Sequence, residues 1–208
     1  MNNHKTLIPV NVVTGFLGSG KTTLLQRILN FRSMNQTVVL VNEFGEVGLD
    51  HHLLEHIDEN TVLLQSGCIC CTIREDLTTS LLNLLDRQAT KKLKFRRIVV
   101  ETTGLADPAP IIYSLIAGNL IRYHFRLGNI ITTIDAINGI RHLEKYPESV
   151  KQVAVADRIV VTKTDIANEN LSILLDSLTN LNPSSPIYQN NEPLRPAILL
   201  TNDLYDPK

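Results

Sequence analysis

Along most of the chain, short apolar runs rich in β-branched residues alternate with segments whose apolar residues recur every three or four positions. The first run, Leu7–Thr14, precedes a segment of helical spacing at Lys21–Asn30. Continuous or alternating apolar runs are typical of strands, and spacings of three and four are typical of helices. Strands are predicted at Leu7–Thr14, Thr37–Val41, Val62–Gln65, Arg97–Glu101, Gly128–Ile134, Arg158–Thr162 and Pro186–Tyr188. Helices are predicted at Lys21–Asn30, Arg74–Thr90, Pro110–Leu115, Gly139–Tyr146, Ser149–Ala156 and Asn168–Leu181.

This alternation predicts an α/β fold in which a mostly parallel sheet carries helices on both faces. In such sheets, ligands bind beyond the carboxyl ends of the strands. A glycine-rich loop at 15–22, the carboxylate of Glu101 and the carboxylate of Asp165 each follow a predicted strand. We therefore expect these three features to meet at one edge of the sheet.

The glycine-rich loop Gly15–Thr22 reads G-F-L-G-S-G-K-T and matches the phosphate-binding motif G-x-x-x-x-G-K-[ST] of the P-loop NTPases. Its glycines allow backbone N–H groups to turn toward phosphate oxygens, and the following helix adds its positive dipole end. We expect Lys21 to contact the β- and γ-phosphates and the hydroxyl of Thr22 to bind Mg²⁺. The predicted phosphate-binding residues are Gly15, Gly18, Ser19, Gly20, Lys21, Thr22 and Thr23.

The predicted strand Arg97–Glu101 runs directly into Thr102-Thr103-Gly104, which is the arrangement of a Walker-B element. The carboxylate of Glu101 is expected to bind Mg²⁺ directly or through water, and the N–H of Gly104 is placed to contact a γ-phosphate. The alternative is an ordinary strand end with an exposed glutamate. Lys21, Thr22 and Glu101 form the predicted catalytic set.

A third motif, T-K-T-D at 162–165, lies at the end of the predicted strand Arg158–Thr162 and resembles the N-K-x-D guanine-reading element of GTPases. A carboxylate at Asp165 would accept hydrogen bonds from two N–H groups of guanine, which adenine does not offer together. The aliphatic stem of Lys163 would cover the purine face. Thr162 stands where the element usually has an asparagine that braces the loop. A helix N-cap at Thr164 or Asp165 is the alternative interpretation.

The 208 residues suit one α/β domain, and a hydrophobic content of 43% is sufficient for a core. We predict a domain at residues 1–188 and a proline-containing tail or linker at 189–208. The formal net charge of −1 does not indicate a nucleic-acid-binding protein. No apolar run reaches the length of about 20 residues that spans a bilayer. A polar N-terminus without a signal-peptide core indicates a cytoplasmic protein.

Three closely spaced cysteines, Cys68, Cys70 and Cys71, make a poor disulfide framework. Their thiolates suit Zn²⁺, Cu(I) or another thiophilic ion, while a redox pair and simple burial are the alternatives. A polar loop at Asn42–Asp50 precedes them in the chain, at the position where a γ-phosphate-sensitive switch is expected. Within it, Glu43 and Glu46 are candidates for the magnesium shell or the cysteine-bound metal, or they are solvated acidic residues.

Taken in order, five segments of the chain resemble the CobW-type metallochaperone GTPases. These segments are G-F-L-G-S-G-K-T-T, N-E-F-G-E-V-G-L-D, G-C-I-C-C, E-T-T-G-L-A-D-P and T-K-T-D. The resemblance covers residues 8–187 and implies a GTPase whose three cysteines carry Zn²⁺, or cobalt in some relatives, with Glu46 as a further ligand. It also implies metal delivery to a client metalloprotein. The family usually adds a C-terminal domain, whereas this chain ends in a proline-rich stretch.

The motifs and the resemblance together predict slow hydrolysis of GTP to GDP and phosphate, with nucleotide state controlling metal transfer. Two other functions fit the phosphate loop. A P-loop kinase of a small molecule would transfer the phosphate to an acceptor and leaves the cysteines unexplained. A metal buffer or sensor would bind nucleotide without productive turnover. The oligomeric state is left open by these patterns.

Overall fold

The computed structural model describes residues 7–41, 73–118, 121–166 and 171–201, with the side chains of the second helix described from residue 77 onward. The strands are β1 (Ile8–Gly15), β2 (Thr37–Val41), β3 (Arg97–Glu101), β4 (Phe125–Asp135), β5 (Arg158–Thr162) and β6 (Ile187–Gln189). The helices are α1 (Lys21–Leu29), α2 (Ile73–Ala89), α3 (Ala109–Ala117), α4 (Gly139–Lys145), α5 (Pro147–Ala154) and α6 (Leu171–Leu181). The strands form one sheet in the order β2-β3-β1-β4-β5-β6, and every neighbouring pair is parallel.

The predicted α/β class is confirmed, and β2, β3 and β5 have the bounds that the apolar runs predict. β4 is longer than predicted because Phe125 and Leu127 continue the buried run on the N-terminal side of Gly128. β6 is shifted by one residue to Ile187–Gln189. The strand predicted at Val62–Gln65 lies outside the described residues.

The helices lie close to their predicted positions, and the main differences are at their ends. α3 extends beyond the predicted Pro110–Leu115 to Ala109–Ala117, and Pro147 rather than Ser149 begins α5. Proline is favoured in a first helical turn because its missing N–H would have no intrahelical partner there. Over the described ranges, no helix is long and apolar enough to cross a membrane.

The sheet has a core on each face because successive strand residues point to opposite sides. On β1, Val10 and Val12 pack with α2 and α3, whereas Val13 packs with α1. A third cluster joins β4 and β5 to the helices α5 and α6. Every described β1 residue after Ile8 is buried, so the carboxyl end of this central strand is held rigidly where the glycine-rich loop begins.

After β6 the chain returns across the α1 face of the sheet and ends its described course in a π-helical turn at Ala197–Thr201. Leu194, Leu199 and Leu200 are buried there against α1 and the central strands. Arg97 at the start of β3 donates to the carbonyl of Leu200. Residues up to 201 therefore pack on the domain, beyond the end predicted at residue 188; a linker leading to a further domain stays a prediction.

Candidate functional site

The glycine-rich loop joins β1 to α1 in a conformation that requires its glycines. Gly15 has φ +140°, and a Cβ atom there would lie 2.3 Å from the carbonyl oxygen of Thr133 on β4. Gly20 has φ +85°, a left-handed conformation, and α1 begins at the next residue. The ring of Phe16 lies 4.5 Å from the rings of both His142 and Tyr146, which anchors the loop to α4. The loop is thus held on both sides.

Lys21 is turned into this loop rather than toward solvent, with only 6% of its surface exposed. Its Nζ donates to the carbonyl oxygens of Gly15 at 3.1 Å and Phe16 at 3.3 Å. A buried ammonium group that is held by loop carbonyls places a full positive charge inside the turn. This is the charge that a phosphate group bound by the loop would meet.

The hydroxyl of Thr22, one residue further on, donates to Glu101 Oε1 at 2.6 Å. Glu101 ends β3 and is 2% exposed, and the N–H of Thr102 donates to the carbonyl of Val13 on β1. The pairing of β1 with β3 therefore brings the predicted Walker-B carboxylate to the first turn of α1. Hydroxyl and carboxylate oxygens are the ligands that Mg²⁺ prefers, and the two residues fit that ion.

Gly104 lies against the glycine-rich loop. A Cβ atom on Gly104 would be 2.5 Å from the backbone nitrogen of Leu17, so a side chain at this position would displace one loop or the other. On its other side, the carbonyl of Gly104 accepts a hydrogen bond from the side chain of Gln152 on α5. The structure therefore brings Gly104 beside the phosphate loop, as the Walker-B pattern requires.

Thr162, at the end of β5, braces the glycine-rich loop from the opposite side. Its hydroxyl lies 2.8 Å from the carbonyl oxygen of Ser19 and 3.2 Å from that of Ile134. Its methyl carbon would be 3.3 Å from a Cβ on Gly20. The hydroxyl hence contacts the loop directly, the role that the sequence pattern assigns to the usual asparagine at this position.

Lys163 adopts φ +58°, which is uncommon for a residue with a side chain. Its Nζ lies 2.7 Å from Asp135 Oδ2, and this carboxylate at the end of β4 is 2% exposed. Burial by itself would raise the pKa of Asp135. Hydrogen bonds from the Lys163 ammonium, the N–H of Ile137 and the side chain of Asn138 outweigh burial and hold that pKa below its ordinary value. Asp135 is therefore ionised at neutral pH and fixes the Lys163 side chain.

Asp165 lines a cavity of about 160 Å³ beside α1. Its other lining residues are Gly20, Thr23, Leu24, Arg27, Thr162, Lys163, Ile166 and Asn190. The side chain of Asp165 is exposed, so the cost of leaving its carboxylate without a partner would arise only when a ligand covers it. Asn190, just after β6, accepts hydrogen bonds from the N–H and hydroxyl of Thr164 and shapes this wall.

Two residues of this region were not identified from the sequence. Asp135 follows the predicted strand end at Ile134, and a polar residue in that position was the available signal. Asn190 carried no local signal, because its contact with Thr164 joins residues 26 positions apart.

The predicted metal residues Cys68, Cys70, Cys71, Glu43 and Glu46 lie outside the described residues. Within the part of the chain that is described, no group of three or more His, Cys, Asp or Glu side chains is arranged to hold a metal ion.

The sequence and the fold of this chain are similar to those of known proteins. The family model of the CobW/HypB/UreG nucleotide-binding domain matches residues 9–189. The zinc chaperone YjiA of Escherichia coli is 39% identical over 181 residues, which are 87% of this chain and 57% of YjiA. The zinc-regulated GTPase metalloprotein activator 1 of Schizosaccharomyces pombe is 34% identical over 184 residues. The match covers 84% of this chain and 44% of that protein. The chain thus spans about half the length of these relatives.

The solved structure of the Zn(II)-bound YjiA GTPase from E. coli superposes with a TM-score of 0.75 at 31% identity. The match covers 98% of this chain and 63% of that one. Together with the parallel sheet, this similarity shows that the chain has the P-loop GTPase fold. Since the family model spans both the loop at 15–22 and the T-K-T-D segment, this chain belongs to the CobW/HypB/UreG family of nucleotide-binding domains.

Proposed function

We propose that this domain binds and hydrolyses GTP and uses the nucleotide state to control the binding and delivery of a thiophilic metal ion, Zn²⁺ in the first instance. The observation that carries the nucleotide part is the 2.6 Å contact between Thr22 and Glu101 beside the buried ammonium of Lys21. A phosphate-binding charge and a pair of hard oxygen ligands lie together at the carboxyl end of the sheet. That combination suits a nucleoside triphosphate with its magnesium ion.

The phosphates would lie in the loop 15–23, with the charge of Lys21 on the β- and γ-phosphates. Thr22 and Glu101 would hold Mg²⁺, which supplies positive charge to offset the negative charge on the phosphate oxygens. Gly104 would offer its N–H to the γ-phosphate. The base would enter the cavity at Asp165, and its size and lining support a purine there. The motifs at 15–23, 101–104 and 162–165 contain no Gln or Arg that could orient water, so we expect slow turnover.

Metal would bind to Cys68, Cys70 and Cys71, with Glu46 as a further ligand and Glu43 as a candidate. Relatives named as zinc chaperones and zinc-regulated GTPases support Zn²⁺ as the cargo, and cobalt is the other ion that the sequence resemblance suggests. Three neighbouring thiols stay reduced in the cytoplasm, where such an exchange can occur. A client metalloprotein would receive the ion.

Coupling between the two sites would run through the segment Asn42–Asp50, which follows β2. If the γ-phosphate orders this segment and Glu46 contacts the metal, then each ligand must alter the affinity of the other by the same factor. Hydrolysis of GTP would then weaken metal binding and allow release.

The test is a zinc titration of reduced protein, with a competing chelator, in the presence of GDP or of a non-hydrolysable GTP analogue. We expect zinc affinities that differ by about 5- to 150-fold between the two states, the usual range of coupling. The variant with all three cysteines changed to serine is the control and should lose zinc binding but retain nucleotide. Equal zinc affinity in both states would contradict the coupling. Release of free phosphate, rather than a phosphorylated acceptor, distinguishes a GTPase from a kinase.

A further inference from the structure

Gln152 is a fully buried polar residue that no nucleotide motif includes. It lies on α5 and is 0% exposed. Its neighbours in the chain are Lys151, which is at the surface, and Val153, which is in the core. Burial of an amide is unfavourable unless its hydrogen bonds are made, so such a residue needs a structural or functional reason. The contacts of Gln152 point to the loop that follows the Walker-B strand.

The side-chain nitrogen of Gln152 donates to two carbonyls of that loop. The distances are 3.2 Å to Gly104 O and 3.0 Å to Ala106 O. These carbonyls lie on either side of Leu105, whose own side chain is 55% exposed. Since a peptide unit is planar, fixing the carbonyl of Gly104 also fixes the N–H of Leu105 in the opposite direction. One side chain therefore sets the orientation of two peptide units in a short turn.

The backbone of Gln152 is itself held from the sheet. The hydroxyl of Thr132 on β4 donates to the backbone carbonyl of Gln152 at 2.7 Å, and both residues are fully buried. A Cβ atom on Gly104 would be 2.5 Å from the nitrogen of Leu17. The turn is consequently confined between the phosphate loop on one side and the buried Gln152 side chain on the other. It cannot move relative to the phosphate site without altering the Gln152 hydrogen bonds.

The oxygen of the same amide differs from its nitrogen, which donates two hydrogen bonds. Gln152 Oε1 is buried and has no hydrogen-bond partner among the described residues. A buried acceptor without a partner is costly, and a leucine or methionine would remove that cost but leave the carbonyls of Gly104 and Ala106 without this donor. Retaining the amide is reasonable where its two donated hydrogen bonds have a function that offsets it.

We propose that Gln152 is a positioning residue that fixes the Gly104–Ala106 turn at the γ-phosphate end of the site and thereby sets the preference for GTP over GDP. This inference rests on the proposed function. GDP lacks the group that the turn would meet, so its affinity should be nearly independent of Gln152. The affinity for a triphosphate should depend on it.

The experiment measures the affinities of GDP and of a non-hydrolysable GTP analogue by calorimetry for wild type and for Gln152→Met. Methionine has a similar length and no donor. We expect analogue affinity to fall about tenfold, which is about 1.4 kcal/mol, with GDP affinity within about twofold of wild type. Lys151→Met is the matched control, because Lys151 contacts Asp107 of the same loop through an exposed ion pair of 2.9 Å. Exposed ion pairs contribute little to stability. The ratio of analogue affinity to GDP affinity in Lys151→Met should therefore stay within about twofold of wild type.

A purely structural role would lower both affinities together or change only the thermal stability, and either result would overturn the inference. If Gln152→Met does not fold, Thr132→Val removes the brace on the Gln152 carbonyl with little change in volume. It should lower the ratio in the same direction, by about two- to threefold, and an unchanged ratio would overturn the inference. If wild type binds neither nucleotide, the proposed function fails; if it binds both and the ratio is unchanged in the variants, only the role of Gln152 fails.

Discussion

The hydroxyl of Thr162 lies 2.8 Å from the carbonyl oxygen of Ser19 and joins the end of β5 to the phosphate loop. The two residues are 143 positions apart in the chain. Through this contact the segment that would read the base is held at a fixed distance from the loop that would hold the phosphates. At position 162, where the guanine-reading element usually has an asparagine, a threonine hydroxyl makes this contact with the loop.

Thr162→Val should weaken GTP binding, because it leaves the carbonyl of Ser19 without this donor while keeping the side-chain volume. We expect a loss of about 1 kcal/mol, or about fivefold in affinity. Thr162→Ser keeps the hydroxyl and serves as the control. Calorimetric titration with GTP checks both variants, and equal loss in the serine and valine variants would show that the hydroxyl is not responsible.

Lys21→Ala should abolish hydrolysis and lower GTP affinity by about 100-fold, or about 2.7 kcal/mol. The reason is that the ammonium held by Gly15 and Phe16 carbonyls is the buried positive charge of the loop. Phosphate release and nucleotide titration measure the two effects. Lys145→Ala, an exposed change at the end of α4, is the control. A folded Lys21→Ala protein with normal GTP turnover would contradict the phosphate-binding assignment.

Asp165→Asn should reduce the preference for GTP over ATP and improve relative binding of XTP. Loss of the carboxylate that would pair with guanine is expected to cost about 2–4 kcal/mol in GTP affinity. Competition among the three nucleotides provides the measurement. Asp176→Asn, an exposed change on α6, should leave all three affinities unaltered. Wild-type protein that binds ATP as tightly as GTP would show that Asp165 does not read the base.

Asp135→Asn should destabilise the folded protein at neutral pH by about 1–3 kcal/mol, because it removes the buried partner of Lys163. The pKa of Asp135 is lowered in the folded state, so its carboxylate stabilises the fold above the unfolded pKa of about 3.9. That contribution is lost as the pH falls through the lower, folded pKa. Urea denaturation of wild type and variant should therefore show a difference at pH 7 that shrinks below about pH 4. A difference that is constant down to pH 3 would contradict this ion-pair role.

Changing Cys68, Cys70 and Cys71 to serine should abolish the binding of one thiophilic ion per chain and leave GTP binding intact. In the wild type, zinc binding should release protons, because thiols must ionise to become ligands. Proton release can be followed by calorimetry in buffers of different ionisation enthalpy. If the measured enthalpy of zinc binding does not depend on the buffer, and zinc still binds to the serine variant, the ion is bound elsewhere.

Local sequence determined the strands and most helix positions. Apolar runs such as Thr37–Val41 and Arg158–Thr162 have the observed bounds because they are buried, and burial demands a continuous apolar pattern. The glycine-rich loop was equally recognisable, since Gly15 and Gly20 hold backbone conformations or close approaches that other residues disfavour. Signals of this kind are contained within a few consecutive residues.

Tertiary structure decided everything that joins distant positions. Three contacts depend on how the parallel strands and their helices are ordered in space. They are the burial of Leu199 and Leu200, the ion pair of Asp135 with Lys163, and the hydrogen bond from Gln152 to Gly104. The buried carboxylate of Asp135 pairs with a residue 28 positions away, and the buried amide of Gln152 donates to a carbonyl 48 positions away. The sequence by itself determined the fold and the phosphate-binding loop. Only the assembled sheet decided which polar side chains hold that loop in place, because hydrogen bonds and ion pairs form between groups that are near in space, whatever their separation in the chain.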